Sequence, residues 1–515
     1  MRINLKMFFG FMLTSFYCAL AIAQSNLNFE FRVLEGDIGP ASITRSFAVA
    51  EDSQGHVFIV GLRGIGPVSV FNTPIQSQAF LARFSRNSNG VLVRDWIDEF
   101  GESTNNSAMS LAIDSDDNVF VAGLNSGQIV LGLTAFLRKY SAGSMQMAWE
   151  VEHDQINSES KIGVATDGVG NIYLTGTEGV GDSFPPARIG FIDCYRDSDG
   201  TEQPTLGWTE QYVTGDVFSN DVAVDFCGDI YVVGSIRPNP GGPLKPGTNV
   251  GSQVLIAKFE DAGDQANGVF EEQFGTNDDD FGNAITAGLS IREEIVVYIC
   301  GTSLGGLGGD SGSLGWADAF LAKLDPNTGL VESTGLPQWC EQFGADEEDE
   351  GNDVAVDDSG NVYLAGSTLG GGSSYDAFVA NYRDNSSEAL FQDAELLDNV
   401  PDFTSILPRV DLGFGVCART PGDVLLTGFS GGKFVQDDGG PILQLAWISD
   451  FSVPILGDVN CDGVFDNLDI APFVDAIING GYTAKADING DGAVDPLDVD
   501  PFVQLLINTG PPACN

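Results

Sequence analysis

Two short segments near the C-terminus place oxygen-bearing side chains at a spacing that suits a hard metal ion. They read DVNCDGVFDNLD (458–469) and DINGDGAVDPLD (487–498), twelve residues each and 29 residues apart. Oxygen donors stand at positions 1, 3, 5, 9 and 12, position 7 offers a backbone carbonyl, and position 6 is a glycine where the chain turns sharply. The predicted ligands are Asp458, Asn460, Asp462, Val464, Asp466 and Asp469 in the first loop, and Asp487, Asn489, Asp491, Ala493, Asp495 and Asp498 in the second.

Calcium takes about six to eight oxygen ligands in flexible geometry, and each loop supplies such a set. Without a cation the converging carboxylates would repel one another, which favours a bound ion. The alternative is that each loop is merely an acidic turn. An apolar helix is predicted after each loop, over 470–479 and 499–508. The apolar residues recur at i, i+4, which gives each helix one apolar face, and we expect the two faces to pack together. The sequence therefore predicts two Ca²⁺ ions in a small C-terminal domain.

The repeated loop and helix, with Asp rather than Glu at position 12, resembles a type I dockerin over residues 455–515. The resemblance implies calcium-dependent folding and docking to a cohesin-type receptor. In that family the receptor contacts loop positions 10 and 11, which here are Asn467-Leu468 and Pro496-Leu497. A free-standing calcium-stabilised tail, used for anchoring or sorting at a surface, is the alternative.

The rest of the chain repeats a segment in which a glycine closes an apolar run, as Gly366 does in DDSGNVYLAGST at 357–368. Each copy is a branched or aromatic run that predicts a buried strand, and the phrases around it indicate four strands per repeat. Four short strands in each of seven units predict a β-propeller, whose sheets must stack on one another to bury both faces. The closing glycines, 53 to 67 residues apart, are Gly61, Gly123, Gly176, Gly234, Gly301, Gly366 and Gly428.

The phrase DSGNVYLAGST followed by DAFVANY resembles the SBBP-type β-propeller repeat, and the resemblance implies a fold but no shared catalytic residues. The predicted fold class is mainly β, with a seven-bladed β-propeller over residues 27–450 and a small α-helical, calcium-binding, dockerin-like domain over 455–515. We expect a strand at 27–36 to complete the last blade, because that blade lacks an outer strand and pairing would protect its edge. Tryptophans at one position per blade are predicted to be packing residues, namely Trp96, Trp149, Trp208 and Trp339.

The N-terminus predicts export. Basic residues, an apolar stretch and an A-x-A site define a signal peptide over 1–23, cleaved between Ala23 and Gln24. No later apolar run reaches spanning length, so a secreted, extracellular or cell-surface protein without a transmembrane segment is expected. Cys461 and Cys514 are both local to the small C-terminal domain, and a disulfide between them would fasten its tail. Cys300 and Cys340 fall on strands two apart and are too distant to pair.

Composition argues against several functions. The net charge is −50, which repels nucleic acid and disfavours anionic membranes, although a solvated surface explains most of it. The chain has two histidines, so a Ser-His-Asp hydrolase or a His-ligated zinc enzyme is disfavoured. Acidic segments at 275–284 and 344–353 are predicted near one mouth of the propeller tunnel, as solvated loops or as a further cation or ligand site. Trp316 is a candidate for stacking on a sugar ring.

Three functional hypotheses remain. The first is an exported, non-catalytic binding or scaffolding protein, whose propeller presents a ligand face to a partner such as a glycan. In this hypothesis the C-terminal domain attaches the propeller to a cohesin-type or surface partner. The second is a carboxylate-based hydrolase or lyase that degrades extracellular polysaccharide, although no carboxylate pair can be chosen from the sequence. The third is a structural protein of the cell surface.

Overall fold

The structure is a computed structural model. It describes residues 28–33, 44–68, 74–101, 105–126, 133–157, 160–180, 187–197, 203–212, 216–237, 251–290, 294–307, 316–344, 347–357, 360–369, 375–384, 389–397, 410–418, 423–433, 442–452, 457–460, 465, 467–479, 485–488 and 493–506. The predicted signal peptide, its cleavage site and the pair Cys461–Cys514 lie outside these residues.

The described part of the chain is mainly β. The strands of its first half are β1 (Asn28–Val33), β2 (Thr44–Glu51), β3 (Val57–Val68), β4 (Pro74–Arg86), β5 (Leu92–Phe100), β6 (Asn106–Ile113), β7 (Val119–Ser126), β8 (Leu133–Tyr140), β9 (Met147–Ile156), β10 (Gly163–Thr166), β11 (Asn171–Val180), β12 (Ala187–Arg196), β13 (Thr205–Tyr212) and β14 (Asp216–Val224). Those of its second half are β15 (Ile230–Arg237), β16 (Gln253–Asp261), β17 (Ala266–Phe274), β18 (Asp280–Leu289), β19 (Ile295–Ser303), β20 (Asp318–Leu324), β21 (Trp339–Phe343), β22 (Asp349–Val356), β23 (Asn361–Thr368), β24 (Asp376–Asp384), β25 (Ala389–Leu397), β26 (Val410–Ala418), β27 (Asp423–Lys433) and β28 (Ile442–Ser452).

The strands form antiparallel meanders in chain order. Four sheets have four consecutive strands each, β2–β5, β14–β17, β18–β21 and β22–β25. Strands β6–β9 and β10–β13 form two further meanders, joined into one sheet by a single bridge pair between Ile156 and Glu178. In the last sheet, β26, β27 and β28 are followed by β1, which pairs antiparallel with β28. The chain therefore has the sheet arrangement of a β-propeller.

The first strands of successive meanders lie side by side. Strand β6 lies beside β2, β10 beside β6, and so on through β14, β18, β22 and β26, and β26 in turn lies beside β2. Seven of the hydrophobic clusters among the described residues each draw side chains from two neighbouring meanders. One of them joins Val49 of β2 to Leu425 of β27 and Ile448 of β28. Each meander thus buries its faces against its neighbours, as stacked sheets require.

The repeated glycine is required by a close approach between two strands. Six of the first strands, all except β10, carry a β-bulge, and the glycine that closes the second strand pairs with the residue just before it. A Cβ atom on Gly301 would lie 1.8 Å from the carbonyl oxygen of Phe281, and one on Gly366 would lie 2.0 Å from that of Glu350. A side chain at these positions would force the strands apart, so the glycine is a packing residue.

Polar contacts connect the outer parts of neighbouring meanders. Arg196 of β12 donates from Nη2 to Oδ1 of Asp261 in the next meander (2.7 Å), and Trp208 donates from Nε1 to the same oxygen (3.0 Å). The same arrangement recurs where Lys323 and Trp339 meet Asp384. Trp208 and Trp339 therefore pack within their own sheets and each donates a hydrogen bond to the next sheet. Trp149, Trp208 and Trp339 are buried and Trp96 is partly buried against Tyr140, which confirms the predicted packing role of all four.

The C-terminal segment forms a small helical unit. Helix α1 (Ile470–Asn479) and helix α2 (Val499–Leu506), the latter preceded by a 3₁₀ turn (Pro496–Asp498), pack through Phe473 and Phe502. These two rings stack with their centroids 3.7 Å apart, and Ala486 and Ile488 complete the core. The predicted packing of the two apolar helix faces is confirmed.

Candidate functional site

Four of the predicted calcium ligands are buried carboxylates at the ends of the two loops. Asp458 and Asp469, at positions 1 and 12 of the first loop, are 1% and 0% exposed, and Asp487 and Asp498 in the second are 4% and 0% exposed. Burying a carboxylate is costly unless hydrogen bonds or a cation compensate. These side chains therefore mark the loops as places where positive charge would be stabilised.

The loop ends fold back on themselves. Oδ1 of Asp469 accepts a hydrogen bond from the backbone N–H of Asn460 (2.9 Å), which brings position 12 of the first loop to position 3. In the second loop, Oδ2 of Asp498 accepts from the N–H of Asp495 (2.9 Å), and Oδ1 of Asp495 caps the 3₁₀ turn. These bonds bring position 12 close to position 3 in the first loop and close to position 9 in the second, and in the second loop they form the capping box of the 3₁₀ turn.

The donor set fits calcium, since it consists of oxygen atoms alone and several of its carboxylates are buried. Ala493 and Asp495 of the second loop are also described, and both are near the surface or half-buried. The described residues do not by themselves bring three acidic, histidine or cysteine side chains together as a metal site. The other five predicted ligands lie outside the described residues, namely Asp462, Val464, Asp466, Asn489 and Asp491.

Polar contacts join the two repeats of the helical unit to each other and join the unit to the propeller. Nζ of Lys485, two residues before the second loop, pairs with Oδ2 of Asp458 at the start of the first loop (2.8 Å). Nη1 of Arg383, a buried residue of β24, donates to the backbone carbonyl of Asp487 (2.7 Å). Arg383 on β24 is equivalent to Arg196 on β12, since each lies on the third strand of its meander and pairs with an asparagine of the second strand. Arg196 contacts the next meander, whereas Arg383 contacts the C-terminal unit.

A cavity of about 380 Å³ lies where the first strands meet. Its wall has two different parts. Phe47, Met109 and Phe414, the extra residues of three bulges on β2, β6 and β26, form an apolar part. The polar part comes from four consecutive meanders and contains Lys161, Asn220, Asp221, Asn283, Asn352 and Asp353. We call this space the central cavity.

The three asparagines of the central cavity are the bulge residues of β14, β18 and β22, and each connects its strand to the next. Their Nδ2 atoms donate to glycine carbonyls of the following strand, Asn220 to Gly282 (2.7 Å), Asn283 to Gly351 (2.8 Å) and Asn352 to Gly413 (2.9 Å). An amide nitrogen carries two N–H bonds and this contact uses one of them, so the side-chain oxygens are the acceptors that the asparagines offer to the cavity. The oxygen of Asn283 accepts from Nζ of Lys161 (3.2 Å).

The two carboxyl groups of the central cavity also contact backbone amides of the next strand. Oδ2 of Asp221 accepts from the N–H of Ile285 (3.0 Å), and Oδ2 of Asp353 accepts from the N–H of Val416 (2.8 Å). Burial raises the pKa of Asp221 to about 6. Burial and the neighbouring charge of Asp221 raise the pKa of Asp353 to about 8, so Asp353 is mainly protonated at pH 7. Burial also lowers the pKa of Lys161, although solvent reaches its side chain through the cavity.

A separate charged cluster surrounds His153 of β9. Its Nδ1 lies 2.7 Å from Oδ2 of Asp193, and its Nε2 lies 2.9 Å from Oε1 of Glu178. Its ring stacks on Phe191 with the centroids 3.9 Å apart. Burial opposes protonation, but the two carboxylates outweigh it and raise the pKa of His153 to about 9. His153 is therefore a cation that joins two meanders, whereas the other histidine, His56, pairs with Asp52 in a turn.

The residues of the two acidic segments lie in two different environments. Asn283 and Asp353, at or near the ends of segments 275–284 and 344–353, line the central cavity, whereas residues such as Glu347 and Glu348 are exposed. Trp316 is 83% exposed and lies outside the cavity lining. Lys161 and Asp221 were missed by sequence reasoning. The signal that identifies the polar wall is the Asn-Asp pair at 220–221 and 352–353, which recurs at the same place in the repeat.

Cys300 and Cys340, on β19 and β21 of one sheet, are free thiols separated by β20, as their predicted spacing requires. No helix in the part of the chain that the structure describes is both long enough and apolar enough to cross a membrane.

Residues 338–372 match the model of the SBBP family, described as a beta-propeller repeat. Comparison with curated proteins finds no match. Similar solved structures include YCF48 bound to D1 peptide, with TM-score 0.40, 11% identity and coverage of 82% of this chain and 97% of that one. The β-propeller domain of the Trilobed protease from Pyrococcus furiosus has TM-score 0.37, 9% identity and coverage of 79% and 93%. The β-propeller character of the chain rests on the SBBP match and on its own sheet arrangement.

Proposed function

We propose that this protein is an exported, calcium-binding, non-catalytic binding protein. Its propeller presents a ligand-binding face, and its C-terminal dockerin-like domain docks to a cohesin-type protein or a cell-surface partner. The observation that carries the proposal is the pair of loops whose first and last carboxylates are buried beside a shared helical core. A calcium ion in each loop would add to the compensation that Lys485 already gives Asp458 and would tie the loop to the helix that follows it.

The surface of the helical unit supports a docking role. The side of α1 that faces away from α2 exposes Val474 and Ile478, at 45% and 73%. Loop position 11 is also exposed in both repeats, with Leu468 at 62% and Leu497 at 65%. Exposed apolar side chains grouped on one small unit are a common feature of interaction surfaces. The leucine at loop position 11 is presented by both repeats, so a partner could meet either copy.

The propeller is proposed to be a closed ring of seven blades. Counting the eight-stranded sheet as two meanders gives seven four-stranded units when β1 is included in the last. Two observations support closure, the apolar cluster shared by the first and last units and the hydrogen bond from Ser46 Oγ to the carbonyl of Gly428 (2.6 Å). The pairing of β1 with β28 would then close the last blade with the N-terminal strand.

A binding role is favoured over catalysis by what the cavity carboxyls contact. Asp221 and Asp353 each hold a backbone amide of the neighbouring strand, which is a structural use of a carboxyl group. A glycan-degrading enzyme would need two carboxyl groups directed at the scissile bond. The enzyme is therefore the second candidate, and release of reducing sugar from a polysaccharide would support it over the binding protein.

Calcium titration of the full-length protein tests the proposal. Calorimetry should show two bound Ca²⁺ ions, and Asp469→Asn and Asp498→Asn should each remove one. Asp500→Asn is the matched control, because Asp500 is exposed in the first turn of α2 and outside both loops. The partner is then sought by pull-down with and without chelator. Absence of calcium uptake, or equal loss in the control variant, would refute the proposal.

A further inference from the structure

The central cavity has few atoms that favour a charged ligand. The charged groups of its lining are Lys161, whose pKa burial lowers, and Asp221, whose pKa burial raises to about 6, and their charges are opposite in sign. Asp353, with a pKa of about 8, adds little negative charge at pH 7. An anionic ligand would meet the charge of Asp221, and a cationic ligand would meet that of Lys161. The balance of charge therefore favours a neutral ligand.

The polar wall offers both hydrogen-bond donors and acceptors. Lys161 has three N–H bonds, and one of them is directed to Asn283 at 3.2 Å. Asn220 and Asn352 use their amide nitrogens in bonds to glycine carbonyls, which leaves their oxygens as acceptors. A ligand that suits this wall must both donate and accept, as hydroxyl groups do.

The opposite wall is apolar and aromatic. Phe47 and Phe414 meet edge to face with their centroids 5.4 Å apart, and Met109 extends the same surface on the neighbouring strand. A cavity of about 380 Å³ is at the small end of the usual range for ligand sites, which runs from about 300 to 1,000 Å³. The occupant must therefore be small, with one apolar face and one hydroxyl-rich edge.

We propose that the central cavity binds one neutral sugar residue, with the C–H face of the ring against Phe47 and Phe414 and its hydroxyl groups bonded to Lys161, Asn220 and Asn352. The proposal rests on the proposed function in one respect, because it names the ligand class of the propeller's binding face. It places the ligand in the cavity and not at Trp316, whose exposed ring was the sequence-based candidate for sugar stacking.

The test uses the full-length protein with calcium present and a panel of free neutral sugars, namely glucose, galactose, mannose, xylose, arabinose and their β-linked disaccharides. Binding is measured by calorimetry and by saturation-transfer NMR. Glucuronate and glucosamine are the charged probes. We expect at least one neutral sugar to bind, and the charged probe built on the same ring to bind about tenfold more weakly. A polymer of the preferred sugar shows whether the cavity accepts a chain end or only the free sugar.

Lys161→Met should weaken sugar binding about tenfold or more, because it removes a charged donor and keeps a similar shape. Trp316→Ala is the matched control and should leave binding unchanged. A second measurement needs no variant, since bound sugar should protect Lys161 from an amine-acylating reagent, as read by peptide mass spectrometry. Circular dichroism and the thermal midpoint establish that both variants fold.

Four results would overturn the proposal. They are no binding by any sugar of the panel, tighter binding of a charged probe, loss of binding in Trp316→Ala, and unchanged acylation of Lys161 when sugar is bound. The calcium titration on the same sample reports separately on the proposed function. Two bound calcium ions without sugar binding would therefore reject the cavity proposal alone.

Discussion

Replacing His153 by Gln should make the protein less stable at pH 6 and should remove part of its loss of stability at alkaline pH. In the folded protein His153 is held between Asp193 and Glu178, and its pKa is raised from 6.5 to about 9. A group whose pKa is raised by folding stabilises fully below its unfolded pKa, and the stabilisation is lost as the pH rises through the folded pKa. The relevant window therefore runs from about pH 6.5 to above pH 9.

The size of the effect follows from the same shift. A rise in pKa from 6.5 to about 9 corresponds to about 3 kcal/mol, and solvent screening at this partly accessible cluster reduces it to about 2 kcal/mol. The substitution also leaves Asp193, which is 1% exposed, without the charged imidazole of His153 that it contacts. The difference between the wild-type protein and His153→Gln should thus be largest near pH 6 and should shrink by about 2 kcal/mol by pH 10.

The assay is urea unfolding followed by tryptophan fluorescence at several pH values, with an NMR titration of the histidine ring protons. The chain has two histidines, so the two signals are assigned by one variant each. His56→Gln is the matched control, because His56 has a single carboxylate partner, Asp52, in a more accessible turn. It should change stability by less than about 1 kcal/mol. A His153 midpoint at or below pH 6.5, or a constant difference from pH 6 to pH 10, would refute the reasoning.

Three further predictions concern packing, the tail and calcium. Gly366→Ala should destabilise the protein by about 3 kcal/mol in the same urea assay, since its Cβ would lie 2.0 Å from the carbonyl oxygen of Glu350. Gly268→Ala is the control, because no atom lies within 4 Å of its new Cβ, and it should change the free energy of unfolding by less than about 0.5 kcal/mol. Arg383→Met should release the C-terminal unit to limited proteolysis about tenfold faster, because it removes the bond to the carbonyl of Asp487, and an unchanged cleavage rate would contradict this. Removal of calcium should lower the thermal midpoint of the C-terminal unit, as measured by calorimetry, and should leave the unfolding transition of the propeller unchanged. A single transition that shifts as a whole would contradict this.

Local pattern was enough to predict the strands and the helices. Runs of branched and aromatic residues that end in glycine predicted the second strand of each meander, because a buried strand leaves a continuous apolar run in the chain. The i, i+4 spacing of Phe473 with Ile477 and of Phe502 with Leu506 predicted two amphipathic helices that pack together. The calcium ligands stay a prediction from spacing, with Asp458, Asn460, Asp469, Asp487, Ala493, Asp495 and Asp498 among the described residues.

The sequence by itself determined which runs form strands and which loops carry oxygen donors, because these properties depend on neighbours in the chain. The repeated glycine is visible in the sequence, but the structure shows why it is needed, since a carbonyl of the paired strand approaches it closely. Only the tertiary structure decided which polar residues meet. Lys161 and Asn283 are 122 residues apart in sequence, yet their side chains are in hydrogen-bonding contact in the central cavity. The pKa shifts of Asp353 and His153 have the same origin, since burial and the charges of distant residues set them. Such contacts arise from the stacking of whole sheets, and no local pattern encodes them.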